Sequence, residues 1–121
     1  MRTFICLVFL GSVFAAPSMA QTSCVAPDQP TSIDGATVTL DQLRAAISGA
    51  KQFIASSDAY QACLGKEIDD QKAAATRDKP FDKAIATRNL ALADTNQKAK
   101  ESVGASVNTA IAAYKKAHPA Q

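Results

Sequence analysis

Few residues in this 121-residue chain can do chemistry: three cysteines, one histidine and a short acidic run. Cys6 lies in an apolar leader, which leaves Cys24 and Cys63 as an even pair. In an exported chain such a pair predicts a disulfide. The rival chemistry is a metal or redox site. It has little support, because the chain has no Cys-x-x-Cys and its one histidine, His118, stands near the end. Glu67, Asp69 and Asp70 form the acidic run, but Lys66 and Lys72 flank it. A solvated helix face explains that pattern better than a cation site. Serines are present without a well-placed base to activate them. The chain has no Gly-rich phosphate loop and no tryptophan for an aromatic cage. The expectation is therefore no enzyme, with no catalytic residue, no cofactor and no metal ligands.

The leader fixes the setting. Arg2 precedes the apolar run "FICLVFLGSVF", Phe4 to Phe14, and "APSMA" follows, with Ser18 and Ala20 where a signal peptidase reads. This predicts a secretory signal peptide over residues 1–20, cleaved after Ala20. The run is about 11 residues, whereas a membrane-spanning helix needs about 20. An uncleaved anchor is the alternative. The residues before Cys24, "QTS", lack the pattern of a lipoprotein signal. Loss of Arg2 with the leader takes the 13 basic residues to 12, against 11 acidic. A nearly neutral chain gives no electrostatic case for nucleic acid. No integral membrane segment is expected after cleavage, and the location predicted is periplasmic or secreted.

Two elements must bring the cysteines together. Residues 21–38, with Pro27 and Pro30, read as an extended arm. Thr39 reads as a helix N-cap, with Gln42 completing a capping box and Val38 and Leu43 a hydrophobic staple. From there to about Thr76 there is no proline, so helix one is expected over about 39–76. Cys63 then lies roughly 36 Å along that helix. The stretch from Cys24 to Thr39 can reach roughly 50 Å. The arm can therefore run back antiparallel and meet Cys63. The seam of helix one is Leu40, Leu43, Ile47, Ala50, Ile54, Leu64 and Ile68. Including Ser57 and Gln61 gives steps of three and four, as in a coiled coil. Phe53 and Tyr60 widen one edge, and Cys63 lies beyond Tyr60 on that edge. The arm is expected beside that flank, outside the main seam. Gly49 and Gly65 each cost about 1 kcal/mol against alanine, and Gly65 is a possible bend.

Helix two is expected over about 79–117, capped by Asp78 or Lys79 with Pro80 in the first turn, and followed by a tail over 118–121. Its stripe is Phe81, Ile85, Leu92, Ala99, Val103, Val107, Ala110 and Tyr114, with Asn89 and Asn96 on the same line. Folding the chain at Thr76–Lys79, so that facing numbers sum to about 155, pairs Leu40 with Tyr114, Phe53 with Val103 and Leu64 with Leu92. Ser57 and Gln61 then fall opposite Asn96. A buried polar layer of Ser57, Gln61 and Asn96 reads as a register device. Replacing Asn96 with leucine is then expected to raise stability while loosening register. The predicted fold is all-α: an antiparallel, coiled-coil-like two-helix hairpin with an extended N-terminal arm tied to helix one by a disulfide. The rival is a three-helix bundle broken near Gly65.

Three stretches carry a family likeness: the arm "CVAPDQPTSIDGA", the helix-one segment "YQACLGKE" and the late segment "SVGASVNTAIAAYK". With its Cys-x-x-Pro arm and Tyr-x-x-Cys-Leu helix, the mature chain resembles small exported proteins of alphaproteobacteria that lack an established function. Val107 departs from the pattern, where an aromatic usually precedes the position of Asn108. The resemblance implies the cysteine pairing and a bacterial envelope setting, and implies no activity. The function expected is an exported non-enzymatic helical protein, structural or protein-interacting, with a possible homodimer or protein partner. The alternative is a periplasmic holdase-like chaperone, motivated by an Ala-rich seam that could open.

Overall fold

The computed structural model describes residues 23–119; the expected signal peptide lies outside them. Two helices form, α1 (Leu40–Ala73) and α2 (Lys83–Ala117), and they pack against each other as a hairpin. No strand occurs among the described residues.

The start of α1 follows from two residues, Thr39 and Gln42. The Gln42 amide donates to Thr39 Oγ1 at 3.2 Å, and the Thr39 amide donates to Gln42 Oε1 at 2.8 Å. The pair satisfies two N–H groups that a helix end otherwise leaves open. From there α1 is continuous through Gly49 and Gly65, so the break that a three-helix bundle needs near Gly65 does not occur. It ends at Ala73, three residues short of the expected limit. Thr76 is drawn into the turn instead. Its amide donates to the Lys79 carbonyl at 2.8 Å, and the Lys79 amide donates to Thr76 Oγ1 at 3.1 Å.

The start of α2 differs from expectation. The N-cap is Asp82, whose Oδ1 accepts from the Ala84 amide at 2.8 Å; neither Asp78 nor Lys79 caps it. Pro80 disfavours helical geometry at Lys79, and lysine offers no acceptor for the open amides. Pro80 and Phe81 consequently precede the helix rather than sitting in its first turn.

The seam is a pair of seven-residue ladders. Leu43, Ala50, Ser57 and Leu64 of α1 are buried, as are Asn89, Asn96, Val103 and Ala110 of α2. Large and small alternate across it: Ser57 meets Asn96, and the Leu64 turn meets Asn89. Phe53 and Ala50 pack with Val103, with Ala99 and Val107 beside them. Leu64 packs with Tyr60, Cys24 and Leu92. The antiparallel pairing is the one expected, with one exception. Leu40, placed in the seam opposite Tyr114, is 43% exposed. It is the first residue of α1, turned towards the flank the arm leaves uncovered.

The arm does more than lie along α1. Gly35 is buried against the Ala110 backbone, so the arm crosses the groove onto α2. Asp34 shapes that crossing: its Oδ1 accepts from the Ala36 amide at 3.0 Å and its carbonyl from the Thr37 amide at 3.2 Å.

Candidate functional site

The features with chemical content cluster where the arm meets the hairpin. Cys24 and Cys63 are joined, with S–S 1.99 Å and Cα atoms 5.8 Å apart. Cys24 is buried against Tyr60 and Leu64, so the bond is shielded as well as covalent. A cysteine in this state is neither nucleophile nor metal ligand.

One turn beyond Cys63, Glu67 gathers three parts of the chain. Its Oε1 accepts from the Ser23 amide at 2.7 Å and from Ser23 Oγ at 2.8 Å. Its Oε2 accepts from Asn89 Nδ2 at 2.9 Å and lies 3.6 Å from Arg88 Nη2. Asn89, with no exposed surface, also donates to the Leu64 carbonyl at 3.1 Å and accepts from Arg88 Nε at 3.0 Å. Glu67 therefore leaves the solvated acidic face assigned to it from sequence. Its side chain is 21% exposed, while those of Asp69 and Asp70 are 78% and 62% exposed and pair with Lys72 and Lys66. The signal available in the sequence was position. Glu67 is one turn from Cys63 on the flank the arm must follow, and Asn89 is one heptad before Asn96.

Ser57, Gln61 and Asn96 are brought together. Asn96 Nδ2 donates to Ser57 Oγ at 3.1 Å, and Gln61 Nε2 donates to Asn96 Oδ1 at 2.9 Å. Ser57 has no exposed surface, and Asn96 is 7% exposed. Asp58 and Lys100 pair beside this layer. No buried side-chain nitrogen or oxygen among the described residues lacks a partner. The layer is therefore closed on itself, which suits alignment of two helices better than capture of a ligand.

The remaining titratable groups serve the helices. His118 ends α2: its amide donates to the Tyr114 carbonyl at 2.9 Å, and its ring stacks on Tyr114 at 4.2 Å. Asp94, one turn before Lys98, raises that ammonium pKa through a hydrogen bond and then through its charge, on an exposed surface. Among the described residues, no three His, Cys, Asp or Glu side chains converge to hold a metal ion. No helix among them is long and apolar enough to cross a membrane. No protein-family model, curated protein or solved structure matches the chain.

Proposed function

We propose that this chain is an exported, non-enzymatic helical protein of the bacterial cell envelope with a structural or protein-interaction role. The arm's fastening carries the reading. A structural disulfide belongs to an oxidising compartment, and here it sits with a shielded sulfur and a second tie, the hydrogen bonds from Ser23 to the Glu67 carboxylate. The leader expected at residues 1–20 and the resemblance of the arm to exported alphaproteobacterial proteins support the same setting.

The interaction half of the proposal rests on an asymmetry. The arm covers the side of the hairpin that carries Cys63. The opposite side carries Gln61, Gln97 and Lys100, and at helical spacing it also carries Ile47, Ile54, Leu90 and Ile111. Leu90 is 63% exposed, and the three isoleucines are half-buried. A hairpin with this thin an interior gains from covering that face with a second copy or another protein. The holdase reading uses the same face, with unfolded clients as the cover.

The test is light scattering of the oxidised mature protein over a range of concentrations, with Ile54→Glu as control. A mass above the monomer that falls on dilution and is lost in the variant is expected. A monomer that slows aggregation of a model client would favour the holdase. A monomer that neither pulls down an envelope protein nor protects a client would overturn both. N-terminal sequencing of the protein from an envelope fraction should begin at Gln21; recovery of the intact leader would overturn the exported form.

A further inference from the structure

Between its two fastenings the arm bridges empty space. At one end Cys24 packs on Tyr60 and Leu64. At the other Gly35 presses on the Ala110 backbone. Between these points residues 29–33 cross the helix pair where five of the facing side chains are small: Ala46, Ala50, Ser102, Ser106 and Ala110. Pro30 and Ile33 of the arm, both half-buried, line the space beneath. The result is a partly enclosed cavity of about 150 Å³, floored by Leu43, Ala50, Val103 and Ala110, all buried.

Its lining has two properties that select a ligand. Among the described residues, no charged one lines it. Burying a charge there would meet no counter-charge, so the occupant must be neutral. Its polar side is formed by Ser102 and Ser106, one turn apart on α2, with Thr31 and Ser32 of the arm. Two other hydroxyls of α2 turn back on their own helix: Thr87 donates to the Lys83 carbonyl at 3.1 Å and Thr95 to the Ala91 carbonyl at 2.9 Å. Ser102 and Ser106 make no such bond among the described residues, and both line the cavity, Ser106 half-buried and Ser102 exposed as well. Size sets the third condition. Apolar cavities of this volume take a single benzene-sized body, whereas cofactor and nucleotide sites are several times larger.

We propose that the cavity beneath the arm binds a small neutral amphipathic molecule, one ring or its equivalent in size, with a hydroxyl directed at Ser102 and Ser106. This goes beyond the structural reading above and does not depend on it.

The test is titration of the oxidised, isotope-labelled protein with phenol, toluene and benzoate, followed by amide chemical shifts. Phenol should shift amides around Ala50, Ser102, Ser106 and Ala110 saturably. Toluene should bind about fivefold more weakly, the difference of one net hydrogen bond. Benzoate should not bind there. Ser102→Ala/Ser106→Ala, which leaves the floor intact, should bring phenol down to toluene, and Ala50→Leu should exclude both. No saturable shift at these residues would overturn the proposal. So would shifts confined to the opposite face, or equal binding of phenol, toluene and benzoate.

Discussion

Asn96 turns a general rule into a particular one. Polar side chains in a helix seam ordinarily cost stability and fix alignment, so leucine in their place stabilises. The partners seen here reverse the sign for a single substitution. Asn96 supplies the donor to Ser57 Oγ and the acceptor for Gln61. Leucine would orphan a hydroxyl with no exposed surface. An orphaned buried polar group costs about 1–3 kcal/mol, which offsets what leucine contributes by burial. Asn96→Leu should therefore destabilise by about 1–2 kcal/mol in urea unfolding. Ser57→Ala combined with Asn96→Leu removes both ends of the bond and should recover most of that loss. A stabilised single variant, or a double variant as weak as the single, would mean the layer is not coupled in this way. The facing of these three residues was legible from heptad spacing alone. The energetic sign was not, because it depends on which atom donates to which.

At the scale of elements, the glycines show where sequence reasoning stops. Gly49, Gly65 and Gly104 lie in unbroken helix, with nothing near the place a Cβ would occupy. Their replacement by alanine should stabilise by about 0.5–1 kcal/mol each, through helix propensity and a less free unfolded chain. Gly35 is the opposite case. A Cβ there would overlap the carbonyl oxygen of Ala110, so the arm would have to lift from α2. Gly35→Ala should lower the thermal midpoint, while Gly65→Ala should raise it. Equal effects would mean the arm does not seat on α2. In sequence Gly49 and Gly65 read as costs within helix one, while Gly35 lies in the arm with no sign of its contact. Thr39 could be read because a capping box is local, its partners three residues apart. Asp82 was missed because Pro80 and the Thr76–Lys79 turn compete for the same stretch. The crossing of the arm onto α2 was missed because it is a contact between distant segments, and spacing along one helix carries no record of it.

At the scale of the molecule, the question is what holds a two-helix hairpin together. Its seam buries few large side chains: two of the four residues in the α1 ladder and three of the four in the α2 ladder are alanine, serine or asparagine. Such an interior leaves little margin, since domains of this size are stable by about 5–15 kcal/mol at most. The arm supplies what the seam lacks. It covers one side, and its cysteines are 39 residues apart in sequence. Closing a loop of that length should contribute about 4 kcal/mol by restricting the unfolded chain. Cys24→Ala/Cys63→Ala should therefore lose about 4 kcal/mol, a large share of the total, and lose it in one cooperative transition. The Glu67 cluster sets the control. Ser23, Asn89 and Arg88 stay available to Glu67 when the sulfurs are gone, so the arm of the reduced protein is still guided to its place. Helical content at low temperature should then be preserved, with the deficit appearing only on urea or heat. A reduced protein as stable as the oxidised one would mean that the disulfide decorates a hairpin already sufficient by itself. A reduced protein without helix would mean that the seam cannot form unless the arm is tied.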